Sequence, residues 1–264
     1  LIAIDLDGTV INQEGTVIPS AKKAVQDAIN NGIKMTLATG RMYRPTNRFA
    51  LELGLSAPLI CYQGALIREP DEREILWHKP LPIPLAMEVI EQIRHIGVHQ
   101  YLYINDGLFV EDIHEKDSWY AQRNGVTLNV VGNLYSVLKE APTEIAARGE
   151  PTQIDRLITH LNNYFGANLI VTKVHSAFCE IVSPESGKGN ALKYLANLLG
   201  IAQNETVAIG DGPNDISMLN WAGLGIVIGT APDEVKAAAD WVVDNATGDG
   251  FAQAIEKLLE GSKK

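Results

Sequence analysis

Asp5 and Asp7 stand one residue apart where an apolar run, Leu1-Ile2-Ala3-Ile4, comes to a stop, and Gly8-Thr9 follows them. An apolar run that ends on two carboxylates reads as a strand delivering acids to its carboxyl end. In open α/β sheets that end is where ligands bind. Alternate side chains of a strand share a face, so the two acids project the same way while the run stays extended. Gly8 lets the backbone turn sharply, and the Thr9 hydroxyl can bond locally. Two like charges this close repel unless a cation or proton is shared between them. The pair asks for a partner.

Three more polar groups fall at ends of expected core strands or at the start of a core helix. They are Thr39-Gly40-Arg41, Ser186-Gly187-Lys188-Gly189 and Gly210-Asp211-Gly212-Pro213-Asn214-Asp215. An Asp at a strand end is often just a helix cap or a turn former. Four such groups in this order are much harder to explain as punctuation.

The elements that must position these groups can be read from periodicity. Pro19-Ser20-Ala21 starts a helix with Ala24, Val25, Ala28 and Ile29 on one stripe, and Asn31-Gly32 ends it. Ile33 to Ala38 is an apolar strand, a helix runs from Arg44 to Leu53, and Pro58 to Tyr62 is a strand ending at Gln63-Gly64-Ala65. Strand and helix in alternation imply a parallel sheet covered on both faces. Pro80, Pro82 and Pro84 then form a stiff connector. Beyond it, helices over Leu85–His95, Asp117–Arg123 and Thr152–Tyr164 are interleaved with hairpins, one of them across Asn105-Asp106-Gly107. After Ser183-Pro184 the strand–helix pattern resumes to the end. The expected organisation is therefore an α/β core, residues 1–80 and 186–264, split around an inserted α+β domain, 81–185.

Net charge is −10 over 264 residues, which argues against a nucleic-acid or anionic-membrane partner and against passive steering of an anionic substrate. Positive charge for such a substrate must come from particular Lys or Arg residues or from a metal. Cys61 and Cys179 lie far apart in apolar sequence and read as buried free thiols. No apolar run reaches membrane-spanning length and no leader pattern precedes the first strand, so the expected location is cytoplasmic.

The four groups together resemble the haloacid dehalogenase-like (HAD) superfamily, and more closely its Cof-type, subclass IIB sugar-phosphatase-like branch. The resemblance covers essentially the whole chain. It implies a Rossmann-like parallel-sheet core with an inserted α+β cap of the C2B type, a monomer or homodimer, and hydrolysis of a small phosphorylated metabolite such as a sugar phosphate. By the resemblance Asp5 is the nucleophile, forming an aspartyl-phosphate, and Asp7 is the general acid and base. Mg²⁺ is the implied cofactor. Its oxygen ligands can be the Asp5 and Asp211 carboxylates, to which the resemblance adds the backbone carbonyl of Asp7. Asp215 looks like an acid that orients metal-bound water, although an early-helix acid favoured by the helix dipole is an alternative. Thr39, Gly40, Lys188 and Asn214 are the implied phosphate binders, with Arg41 supporting phosphate or cap, or serving only structure. The cap is expected to close over the phosphate, with contacts near Tyr101–Asn105 and His175–Glu180.

One position departs from the family pattern. Gln63-Gly64-Ala65 stands where Asn-Gly-Ala is usual, and Gln63 lengthens the amide arm by one methylene, which puts a substrate contact there in question. A phosphotransferase or mutase would share the aspartyl-phosphate and pass it to a sugar. A non-catalytic phospho-switch would be about half this length and carry its acceptor on a later strand. Weaker signals have plainer readings. Gly223, Gly225 and Gly229 have the wrong spacing for a dinucleotide fingerprint, and Gly187-Lys188-Gly189 lacks the rest of a nucleotide P-loop. His95 and His99 sit four apart across Gly97 without a Glu or Cys at metal spacing. The four tryptophans, Trp77, Trp119, Trp221 and Trp241, read as packing residues.

Overall fold

The computed structural model describes residues 1–12, 14–229, 231–244 and 248–261. They fall into two compact units. The first comprises 1–41, 46–77 and the described part of 187–264, and the second comprises 42–45 and 78–186.

The chain opens with β1 (Ile2–Ile4), α1 (Pro19–Asn30), β2 (Met35–Leu37), α2 (Tyr43–Leu53) and β3 (Leu59–Cys61), followed by β4 (Leu66–Arg68) and β5 (Ile75–His78). The second unit adds α3 (Ile83–Ile96), β6 (His99–Ile104), β7 (Gly107–Val110), α4 (Asp117–Asn124), β8 (Leu128–Val130), β9 (Glu144–Arg148), α5 (Pro151–Phe165), β10 (Ile170–His175) and β11 (Phe178–Val182). The chain then continues through α6 (Lys188–Leu198), β12 (Val207–Gly210), α7 (Ile216–Trp221), β13 (Leu224–Ile228), α8 (Asp233–Lys236), β14 (Trp241–Val243) and α9 (Gly250–Gly261).

In the first unit a parallel sheet has the order β14-β13-β12-β1-β2, and a single parallel bridge, Ala38 to Ile60, sets β3 beside β2. The chain moves outward one way through β2 and β3 and the other way through β12, β13 and β14. The reversal falls between β1 and β12, and a crevice forms at such a point outside the carboxyl ends of the strands. These strands are short and apolar, and β1, β2 and β3 are wholly buried because helices cover both faces. Ala191, Leu192 and Leu195 of α6 and Met218 and Leu219 of α7 pack with Ala3, Ala208 and Val227. α1 buries Ala21, Ala24, Val25 and Ala28, and α9 buries Phe251, Ala254 and Ile255. A Cβ at Gly189 would lie 2.4 Å from the Ser217 carbonyl oxygen, so glycine is what lets α6 and α7 approach.

In the second unit the sheet order is β10-β11-β9-β6-β7-β8, antiparallel except for the β7–β8 pair. One face, with Leu102, Ile104, Ile145, Ala147 and Ile181, packs against Val89 and Ile93 of α3 and Ile154, Leu157 and Leu161 of α5. Register puts Tyr101, Tyr103, Glu144, Ala146 and Glu180 together on the opposite face. Asn105 and Asp106 both have positive φ, 49° and 59°, as a two-residue hairpin turn demands. The Asp106 carboxylate accepts from the backbone N–H groups of Tyr43 (3.0 Å) and Arg44 (3.1 Å).

Several expectations change. β8 has no counterpart in the sequence reading, since three half-exposed residues make no periodic signal. α3 stops at Ile96 with Gly97 left-handed, so His95 and His99 belong to different elements, and His99 instead stacks on His114 at 3.8 Å. Trp77 packs on Tyr194, but Trp119 is 57% exposed with Arg123 lying over its ring, so the packing reading fails there. Both cysteines are free and buried. No helix among the described residues is long and apolar enough to cross a membrane.

Candidate active site

β1, β2, β3 and β12 run parallel, so the residues just past their ends, Asp5, Thr39, Gln63 and Asp211, emerge on one edge. The Asp5 N–H still bonds to the Ile209 carbonyl at 2.8 Å, which holds this residue in the sheet ladder. Beyond Leu6 the chain turns tightly. The N–H groups of Val10 and Ile11 both bond to the Leu6 carbonyl, and Gly8 takes φ +81°. The turn separates the two acids. Asp5 is buried, whereas the Asp7 side chain is 56% exposed, so they do not share one environment as an extended strand would have arranged. Thr9, expected to bond locally, has a buried hydroxyl with no hydrogen-bond partner among the described residues.

Each acid has found its own cation. Lys188, the first residue of α6, donates from Nζ to Asp5 Oδ1 and to Asp215 Oδ1, both at 2.6 Å, and is itself buried. Asp215 Oδ2 accepts from the N–H groups of Asp211 (3.1 Å) and Gly212 (2.9 Å), so this fully buried acid holds both the lysine and the loop that carries Asp211. Two glycines permit the crowding. A Cβ on Gly8 would lie 2.5 Å from Asp211 Oδ2, and one on Gly210 would lie 2.5 Å from Asp215 Oδ2. Gly8 serves this approach as well as the turn, and no sequence pattern signals it. Asp7 lies with Arg41, whose Nε donates to Oδ2 (2.7 Å) and Nη2 to Oδ1 (2.6 Å).

Three carboxylates around one ammonium leave surplus negative charge. Burial pushes the Asp5 carboxyl well above the ordinary carboxylate range, and Asp215 and Asp211 push the same way against the pull of Lys188. Burial, then Asp215, pushes Asp211 up to about 6. Burial works against the charged form of Lys188, but Asp215 and Asp5 outweigh it and hold the ammonium above its ordinary value. Carboxylate oxygens of Asp5, Asp211 and Asp215 lie within 4.8 Å of one another. Hard oxygen donors, close together and short of positive charge, fit a divalent cation.

Around this centre the loops are tied by a strained turn. Tyr62, Gln63 and Gly64 all have positive φ (51°, 54° and 88°), although the first two are not glycine. The Gln63 N–H bonds to the Thr39 carbonyl (3.1 Å), its carbonyl accepts from the Gly187 N–H (2.9 Å), and its side-chain Oε1 accepts from Asn214 Nδ2 (3.1 Å). Gln63 thus joins three of the four sequence groups. The buried Thr39 hydroxyl accepts from the Arg41 N–H at 3.2 Å, and Gly40, half-buried, links the two residues. Glu180 lies apart from these residues in sequence and unit. It sits on β11 in the second unit, where, after burial itself, its charge pushes the neighbouring Glu144 carboxyl up. Glu144 was not singled out from the sequence. A lone Glu in the run Thr143–Arg148 carries no signal until strand register sets it against Tyr103.

Residues 2–255 match the haloacid dehalogenase-like hydrolase family. The chain belongs to this family. Among full-length relatives of this HAD hydrolase, pyridoxal phosphate phosphatase YbhA of Escherichia coli is 29% identical over 276 residues, covering 98% of each chain. The 5-amino-6-(5-phospho-D-ribitylamino)uracil phosphatase YitU of Bacillus subtilis is 26% identical, covering 98% of this chain and 97% of its own. A solved HAD subclass IIB sugar phosphatase superimposes with a TM-score of 0.83 at 22% identity, over 97% of this chain and 98% of the other, and so shares the fold. The phosphatase reading of the motifs agrees with the names these relatives of the HAD hydrolase carry.

Proposed function

We propose that this HAD hydrolase is a Mg²⁺-dependent phosphatase that hydrolyses a small phosphorylated metabolite, sugar phosphates being the leading class, through an aspartyl-phosphate on Asp5. The observation that carries the reading is the division of labour between the two acids. Asp5 is buried, its Oδ1 held by Lys188 and its neighbours Asp211 and Asp215 grouped around it. Asp7, two residues on, keeps an exposed carboxylate paired with Arg41. A nucleophile needs the first arrangement and a proton carrier the second.

Asp5, Asp211 and the Asp7 carbonyl would hold the cation, which supplies charge neutralisation so that an anionic ester can meet a carboxylate. An Asp5 carboxylate oxygen attacks phosphorus, the bond from phosphorus to the alcohol oxygen breaks, and Asp7 gives that oxygen its proton. Water then attacks phosphorus, Asp7 takes the proton from the water, and the bond from Asp5 to phosphorus breaks to free inorganic phosphate. Lys188 keeps Asp5 oriented throughout, while Thr39, Gly40 and Asn214 are the proposed phosphate contacts. Gln63 aligns Asn214. The second unit, with Glu180 among its candidate contacts, is proposed to select the leaving group. Relatives of similar identity are named for different phosphorylated compounds, so the fold does not narrow the choice further.

The test is phosphate release from an aryl phosphate, with and without Mg²⁺. Wild type should turn over only with the cation, and Asp5→Asn should lose at least roughly 10⁴-fold in kcat. Undiminished turnover by Asp5→Asn would remove the nucleophile from the scheme. A screen of phosphorylated metabolites then ranks substrates by kcat/KM.

A further inference from the structure

Asp7 is assigned a proton transfer, yet both its carboxylate oxygens are occupied by one guanidinium. Arg41 Nε and Nη2 donate to Oδ2 and Oδ1 at 2.7 and 2.6 Å, a two-pronged pair. Charge-assisted bidentate pairs are among the stronger and more directional side-chain contacts. An acid–base group held this way must be let go before it can reach a leaving oxygen.

The two partners are unequally anchored. The Arg41 N–H bonds to the Thr39 hydroxyl, its carbonyl accepts from the Tyr62 N–H (3.0 Å), and its guanidinium lies 5.4 Å from the Phe49 ring centre. Its side chain is 15% exposed against 56% for Asp7. Arg41 therefore stays, and Asp7 is the side that moves. A phosphoryl group can displace it. Arginine's planar fork fits phosphate as well as carboxylate, and Arg41 belongs to the Thr39-Gly40-Arg41 loop. The site's other cation, Lys188, is already bonded to two acids.

We propose that Arg41 is a phosphate-operated latch on Asp7. With no substrate it stores the acid in a fixed place. An arriving phosphoryl group takes over guanidinium N–H donors, and the Asp7 carboxylate is released beside the leaving oxygen, where it takes up from solvent the proton that it passes to that oxygen. Arg41 is in this sense a positioning residue, and its part rests on the phosphatase reading above.

Leaving-group dependence separates this role from plain phosphate binding. An aryl phosphate with a good leaving group needs little help from an acid, whereas an alkyl phosphate needs a proton. In Arg41→Gln and Arg41→Lys, KM should rise for both esters, but kcat for the alkyl ester should fall about tenfold more than for the aryl ester, a part of the usual general-acid factor. Lysine should recover KM more than it recovers the alkyl-to-aryl ratio, because it restores charge without the fork. Against an Asp7→Asn background the extra loss on the alkyl ester should vanish, giving a non-additive cycle. Equal losses on both esters, or an additive cycle, would overturn the latch and leave the phosphatase reading intact. Absence of turnover by wild type on either ester would overturn both. Two unlike Arg41 variants guard against misfolding of one.

Discussion

In the first unit Asp5, Asp211 and Asp215 are grouped together, and the Lys188 ammonium at the start of α6 donates to Asp5 and Asp215. In the second unit Glu144 is just as buried, but its Oε2 has no hydrogen-bond partner among the described residues, and its close electrostatic neighbour is another acid, Glu180. The first arrangement is built to hold charge, and its surplus calls for a cation. In the second, burial and then the Glu180 charge push the Glu144 carboxyl up with no cation pulling it back, because ionising it would bury a second charge beside the first. Burial alone therefore does not make a catalytic acid. What matters is whether the fold also supplies a counter-charge.

The strongest way to break this contrast is to remove the counter-charge. Lys188→Met keeps an unbranched side chain, one atom shorter, and leaves three acids with no ammonium. It should lower kcat by roughly 10³-fold and destabilise the first unit by about 3–5 kcal/mol, the usual penalty for removing one partner of a buried pair. Urea melts and single-turnover kinetics measure the two losses. If Lys188→Met folded with wild-type stability, the ammonium would not be what compensates these acids.

Adding positive charge should act in the opposite direction. Mg²⁺ at a hundredfold excess over its dissociation constant should stabilise the protein by about 2.7 kcal/mol, and Asp211→Asn should abolish most of that gain. No comparable gain should be seen in hydrogen exchange of the β9 amides around Glu144, since that acid belongs to no group of described residues suited to a hard cation. Equal protection of both regions would mean that the cation acts on the fold as a whole.

Most of the first unit's chemistry was legible because apolar runs end on acids, and parallel strands must bring those ends to one edge. Asp5, Thr39 and Asp211 stand at such ends, and Lys188 stands at the start of a core helix. Which cation meets which acid was not legible, because it depends on the turn after Leu6 that sends Asp7 to Arg41 and leaves Asp5 with Lys188. The same limit hid the role of Gln63. Nothing in Tyr62-Gln63 as residue types announces two consecutive left-handed conformations, which tertiary hydrogen bonds impose. In the second unit, helices and hairpins followed from periodicity. β8 was too short to show, and the face bearing Tyr103, Glu144 and Glu180 emerges only from register.

The strained turn offers a test of whether the site's order rests on backbone as well as charge. A Cβ on Gly64 would lie 2.4 Å from the Gly187 carbonyl oxygen, at a φ of +88°. Gly64→Ala should destabilise by about 1–3 kcal/mol and push Gly187 away, carrying the neighbouring Lys188 off Asp5. Activity should fall further than stability explains, and Gln63→Asn, which leaves the backbone intact, should be the milder change. Wild-type kcat in Gly64→Ala would show that the centre tolerates movement of this turn.

The smallest effect belongs to the second unit, and its sign is the informative part. Burial and Glu180 push the Glu144 carboxyl above its ordinary value of 4.5, so the folded chain holds this proton more tightly than the unfolded chain does. The stability linked to that proton is fully present below pH 4.5 and is lost as pH rises through the folded value, where the carboxyl must ionise inside the protein. Glu144→Gln cannot ionise. It should match wild type in acid and become the more stable of the two towards pH 8, read from hydrogen exchange of the β9 amides. A pH-independent difference would mean that Glu144 ionises in the fold as easily as in the open chain, with a positive partner fully offsetting its burial, where Lys188 offsets that of Asp5 only in part. The contrast between the two units would then be one of location only.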